Sequence, residues 1–194
     1  MISNPLPTRA EVTDVANAIY EQADAVMLSG ETSVGKYPVK CVEVLDRVAR
    51  RIELSGNIGF QAQITLASER DNLAASAIHL ADQTKADGIA VFTRQGHLAS
   101  LCAALRPRWS PVFAFTPDAR LARRLRLRYA LEPIVLPFSA QPKETIHAAE
   151  KVLLERKFLA PGAKVVFVTD ILDQGQHISS VQVRVLAETQ KAGV

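Results

Sequence analysis

From residue 72 to residue 169 the chain alternates segments of helical apolar spacing with short runs of Val, Ile, Phe and Ala, and this alternation leaves few folds open. The spacing predicts helices over Asn72–Ala86, Gly96–Leu105, Asp118–Tyr129 and Pro142–Leu159. Between them it predicts strands at Gly88–Thr93, Pro111–Thr116, Glu132–Leu136 and Lys164–Thr169. Short, almost wholly apolar strands suit a sheet covered on both faces, and strands separated by helices pair in parallel through crossovers. Ser179–Leu186 instead alternates polar and apolar residues, as an edge strand with one exposed face does, and can run antiparallel.

Upstream, Thr8 and Glu11 have capping-box spacing, so that each can satisfy a backbone N–H left open in the first turn of a helix. Val12, Val15, Ala16 and Ile19 continue that helix. Asp24-Ala-Val-Met-Leu28 is an apolar run expected to form a buried parallel strand. A further helix begins around Lys36-Tyr-Pro-Val, with Val42, Leu45, Val48 and Ile52 on its apolar side. Residues 55–66 interrupt the periodicity with glycines and amides and are expected to be a linker. The expected division is therefore 1–54, a linker over 55–66, and 67–194.

No apolar run reaches the roughly 18 residues of a membrane span, and the first residues lack the apolar core of a secretion signal. Cys41 and Cys102 have no metal-ligand spacing and are expected to be buried thiols in a reducing compartment, which together place the chain in the cytoplasm. Residues 1–66 hold six Lys/Arg against eight Asp/Glu, so the overall charge of +3 comes from the remainder. Much of it is Arg120, Arg123, Arg124, Arg126 and Arg128, interleaved with Leu121, Leu125 and Leu127. Along the chain this stripe has no aromatic stacking platform and matches no nucleic-acid motif, so a solvated or subunit-facing helix is expected rather than nucleic-acid binding. His79 and His147 fall within helical patterns and are expected to be structural or surface residues.

Three segments carry a resemblance: Asn4-Pro-Leu-Pro-Thr-Arg-Ala-Glu11, Asp24-Ala-Val-Met-Leu-Ser-Gly-Glu-Thr32 and Gly35-Lys-Tyr-Pro38. In this order and spacing they resemble the last βα units of the pyruvate kinase barrel. Leu105-Arg-Pro107 and the element order resemble the C-terminal domain of the same family. The resemblance implies an α/β chain: the last βα units of a TIM-type barrel, followed by a three-layer α/β/α domain with a mostly parallel sheet. It implies the C-terminal portion of an enzyme that transfers a phosphoryl group from phosphoenolpyruvate to ADP. Mg²⁺ and K⁺ belong to the full-length family, and no cofactor is expected in this chain. The metal-holding carboxylates and principal catalytic lysine are expected in an upstream barrel portion, so this chain alone is expected to be inactive. A homo-oligomer and contact with that upstream portion are the expected partners. The alternative is a stand-alone, non-catalytic binding or interaction module with the same C-terminal fold.

The resemblance further implies roles for particular residues. Ser29 and Glu31 match a serine and a glutamate at the rim of the active site, and Lys36 matches a lysine that helps bind the nucleotide. Without the family, Gly30 and Gly35 would read as turns and Glu31 as a helix cap. In the C-terminal domain, Thr93-Arg-Gln-Gly-His97 joins a predicted strand to a helix N-terminus, a place suited to anions because open N–H groups and the helix dipole converge there. The matching loop in many family members holds the phosphate of a sugar-phosphate activator. Thr93 and Gly96 keep that pattern, whereas Arg94, Gln95 and His97 replace small hydroxyl residues. Gly175, in Asp173-Gln-Gly-Gln-His177, is the glycine of a second effector loop that otherwise departs from the family pattern. A phosphorylated small molecule is thus the expected effector.

Overall fold

The computed structural model describes residues 1–173 and 176–187 and falls into two compact units, Met1–Gln63 and Ile64–Val194.

The first unit contains α1 (Arg9–Tyr20), α2 (Gly30–Ser33), α3 (Pro38–Glu53) and a 3₁₀ turn at Phe60–Gln63. The capping box forms as expected: Glu11 N–H donates to Thr8 Oγ1 at 3.2 Å, and Thr8 N–H donates to Glu11 Oε2 at 2.7 Å. Pro38 opens α3 at a position where its missing N–H costs nothing. The expected strand at 25–28 is not a strand. A parallel strand exists only where neighbouring strands accept and donate its backbone hydrogen bonds, and the described residues of this unit include no other strand. Met27 is accordingly 88% exposed, and Cys41 is the unit's one buried residue among those described.

The second unit contains α4 (Glu69–Thr84), β1 (Gly88–Phe92), α5 (His97–Ala104), β2 (Val112–Thr116), α6 (Ala119–Leu125), β3 (Leu131–Val135), α7 (Pro142–Glu155), β4 (Lys164–Asp173) and β5 (Gln176–Val185). The sheet order is β3-β2-β1-β4-β5. The first four strands are parallel, and β5 runs antiparallel to β4 at the edge. Alternate strand residues feed two cores. Ile89, Val91, Val112 and Ala114 pack with α4, α5 and α6 on one face. Ala90, Phe92, Phe113, Phe115 and Phe167 pack with α7 on the other. This is the expected three-layer sandwich. The near-continuous apolar strands are required by it, because each strand residue meets a helix on one side or the other.

Three helix limits differ from the sequence expectation by three residues or more. The N-terminus of α4 comes earlier, because Ser68 caps it and Asp71 closes a capping box. The end of α6 is Leu125 rather than residue 129, because only Leu121, Ala122 and Leu125 reach the core and Leu127 points to solvent. The end of α7 is Glu155, where the chain turns through Lys157 at φ +57° and the N–H groups of Phe158 and Leu159 fold back on Leu153 O.

Candidate effector groove and barrel-derived loop

The chain runs β1, β2, β3 in one direction across the sheet and then returns to place β4 on the other side of β1. At such a reversal the following connections diverge and open a crevice at the carboxyl ends of the strands. A groove of about 540 Å³ lies there. Thr93 follows the carboxyl end of β1, Thr169 lies within β4 level with that end, and Phe138 and Ser139 come from the connection leaving β3. The first residues of α5 and α7 face one another across it.

The Thr93–His97 turn is built by specific bonds. Gly96 N–H donates to Thr93 Oγ1 at 2.8 Å, and Thr93 N–H donates to Phe115 O at 2.9 Å. Gly96 sits at φ +90°, and a Cβ there would lie 2.8 Å from Leu121 Cδ1, so the position requires glycine. Arg94 stacks its guanidinium on Phe138, 5.0 Å from the ring centroid. That contact holds a cation at the mouth of the groove. Gln95 is exposed beside it.

His97, the first residue of α5, places Nε2 2.9 Å from Asp71 Oδ1. Asp71 is buried and also accepts from the backbone N–H groups of Ala67 and Ser68, each at 3.1 Å. The His97 hydrogen bond, with help from those N–H groups, holds the Asp71 carboxyl below its ordinary range despite opposing desolvation. The structure thus brings Thr93, Arg94, Gln95 and His97 to one groove, with Gly96 buried in the turn between them. Gly175 lies outside the described residues. Asp71 and Phe138 escaped the sequence reading. The Ser68-x-x-Asp71 spacing carried a signal for the first, and nothing local marked the second.

In the first unit, Ser29 is the N-cap position of α2 but its side chain makes no capping bond. Its N–H donates instead to Glu31 Oε2 at 2.9 Å. That bond, and Glu31's own N–H, lower the Glu31 pKa. Ser29 and Glu31 are therefore brought together. Lys36 is exposed, and its ammonium has no hydrogen-bond or ion-pair partner among the described residues. Gly35 has a role apart from chemistry: a Cβ there would lie 2.3 Å from Glu31 O. Among the described residues no three His, Cys, Asp or Glu side chains converge as a metal site would need, and no helix is long and apolar enough to cross a membrane. Cys41 and Cys102 are both buried and unbridged, and burial pushes the Cys102 thiol up to about 12. His79 and His147 are exposed, the latter with Nδ1 3.0 Å from Glu150 Oε2.

The family model described as "Pyruvate kinase, alpha/beta domain" matches residues 71–183, and "Pyruvate kinase, barrel domain" matches residues 1–42. The chloroplastic pyruvate kinase isozyme G of Ricinus communis is 41% identical over 170 residues, covering 87% of this chain and 40% of the relative. Pyruvate kinase 2 of Synechocystis is 36% identical, covering 89% of this chain and 29% of the relative. The pyruvate kinase of Methylorubrum extorquens is 34% identical, covering 88% and 36%. The chain thus spans well under half the length of each of these relatives. It carries the family's α/β domain preceded by a stretch of its barrel domain, and it belongs to the pyruvate kinase family.

Proposed function

We propose that this chain supplies the C-terminal, ligand-binding portion of a pyruvate kinase, and that its groove holds the phosphate of a small effector such as a sugar phosphate. The convergence of Arg94, His97 and the α5 N-terminus on one crevice supports this reading. An incoming phosphate would accept from the open N–H groups of the first turn of α5, which also bears the positive end of the helix dipole. The Arg94 guanidinium swings from Phe138 to meet it, and His97 donates when protonated. The glycine and threonine shape the turn, and Gln95 adds a neutral donor.

The family reaction, phosphoryl transfer from phosphoenolpyruvate to ADP, is assigned to the whole enzyme. In that setting Ser29 and Glu31 would sit at the active-site rim and Lys36 would meet nucleotide phosphate. The family's Mg²⁺ neutralises the transferred phosphoryl group. Among the described residues no three His, Cys, Asp or Glu side chains converge, and the Glu31 carboxylate accepts from the Ser29 N–H. We propose that the chain alone is inactive and serves effector binding and self-association. Its compartment is a reducing one, the cytoplasm or, as the names of chloroplastic relatives suggest, a plastid.

A second reading, the stand-alone binding module, draws support from the contrast between the units. The second unit has two cores of its own, whereas the first buries only Cys41 among its described residues. Calorimetric titration of the chain with fructose 1,6-bisphosphate and with ADP tests the effector reading. Saturable heat that disappears in Arg94→Ala and His97→Ala is expected. No heat and no thermal shift with either would refute it. Metal-dependent turnover of phosphoenolpyruvate by the pure chain would refute the inactivity.

A further inference from the structure

Asp71 is the one buried carboxylate among the described residues, and its two oxygens have different partners. Oδ2 accepts from the backbone N–H groups of Ala67 and Ser68, each at 3.1 Å. Those bonds are local and complete the capping box of α4. Oδ1 instead meets His97 Nε2 of α5 at 2.9 Å. That bond ties a buried charge to a ring that is 71% exposed and lines the groove.

An ionised carboxylate only accepts hydrogen bonds. The Asp71 carboxyl lies below its ordinary range, chiefly because of the His97 bond, and is ionised at neutral pH. The proton between the two therefore belongs to His97 Nε2. Nδ1 has no partner among the described residues. In the neutral ring it is a bare acceptor, which repels an anion, and in the charged ring it is a donor. The other charged groups lining the groove are Arg70 of α4 and Arg94 of the turn, whose charges do not change with pH. From α7, Glu144 accepts from Ser139 Oγ. The α6 helix meets the turn through Leu121 and Leu125, and its arginines do not line the groove. Among the described lining residues, His97 is thus the group whose charge changes in the neutral range.

We propose that Asp71 is a positioning residue of the effector groove: it holds the proton of the neutral His97 ring on Nε2, so that Nδ1 meets an anionic ligand as a donor only when the ring is charged, and anion binding strengthens as pH falls. This rests on the groove being the effector site. Asp71→Asn carries a consequence that a structural role would not. The two backbone N–H groups at the Oδ2 position require an acceptor, so the amide oxygen of the variant settles there and its N–H takes the place of Oδ1. That N–H donates, which makes the neutral ring accept at Nε2 and carry its proton on Nδ1. The groove of the variant then keeps a donor whether or not the ring is charged.

The test is calorimetric titration of the full chain with sodium sulfate and with fructose 1,6-bisphosphate between about pH 8 and about pH 5, together with nitrogen NMR of the His97 ring at about pH 8. Sulfate is a dianion throughout, whereas a phosphate ester changes its own charge near about pH 6. Wild type should carry its neutral-ring proton on Nε2. Its sulfate affinity should rise roughly tenfold from the upper to the lower pH, the gain of one charge-assisted hydrogen bond. His97→Gln, at an exposed position, should remove that rise. Asp71→Asn, checked for folding by circular dichroism, should move the proton to Nδ1 and flatten the rise to less than about threefold. Absence of binding by either ligand at every pH would overturn the effector reading and this proposal with it. Wild-type sulfate binding that is unaffected by pH, a pH dependence that survives in His97→Gln, or a wild-type proton on Nδ1 would overturn this proposal alone.

Discussion

Replacing Gly96 by alanine tests the construction of the groove, because two separable costs meet at that position. The first is conformational: Gly96 sits at φ +90°, where an L-residue costs about 1–2 kcal/mol. The second is steric. The new Cβ would fall 2.8 Å from Leu121 Cδ1, with Leu125 Cδ2 at 3.6 Å behind it. Leu121 is in the core and can yield only by leaving its packed rotamer, a strain of about 1–3 kcal/mol. Gly96→Ala should therefore lose about 2–5 kcal/mol, equivalent to a Tm drop of roughly 4–20 °C for a chain of this size. Gly162 supplies the control. It has φ +85°, but a methyl group added there would meet no atom within 4 Å, so Gly162→Ala should show the conformational cost alone, about 1–2 kcal/mol. Urea denaturation of both variants measures the difference. Equal losses would refute the Leu121 contact, and a Gly96→Ala chain as stable as wild type would refute the left-handed turn itself.

Other consequences follow from single bonds. Thr93→Val leaves the buried Gly96 N–H without its acceptor and should cost about 1–3 kcal/mol in denaturant unfolding; an unchanged midpoint would contradict the bond. The Asp71 carboxyl is depressed below its ordinary 3.8, so it stabilises the fold above that value and the contribution is lost as pH falls through the lowered one. The stability gap between wild type and Asp71→Asn should therefore close as pH drops below about 3.8; a gap independent of pH would refute the coupling. Cys102, with its thiol pushed up to about 12, should resist thiol reagents at neutral pH until the domain unfolds, and rapid labelling would contradict its burial. Hydrogen exchange should be fast throughout residues 1–63, where only Cys41 is buried among the described residues, and slow in β1, β2 and β4; equal protection would contradict the contrast between the units.

The α/β/α domain was legible because its pattern and its packing are the same fact. Ile89 and Val91 serve one core and Ala90 and Phe92 the other, so the strand has to be apolar throughout. The segment Ala25–Leu28 carries the same pattern and yet forms no strand, because composition cannot supply the neighbours a parallel strand bonds to. The Thr93–His97 turn was legible from glycine and helix-start chemistry. Its partners Asp71 and Phe138 were not, since they meet His97 and Arg94 of the turn through the return of α4 and of the β3 connection in space.

The central claim is that the crevice beside β1 and β4 is an anion-binding effector site. Amide chemical-shift mapping with fructose 1,6-bisphosphate tests it most directly, because it reports location as well as binding. The account predicts saturable shifts concentrated in Thr93–Leu98 and in Phe138–Thr145, abolished by Arg94→Ala. Shifts elsewhere in the chain, or none at millimolar ligand, would contradict it.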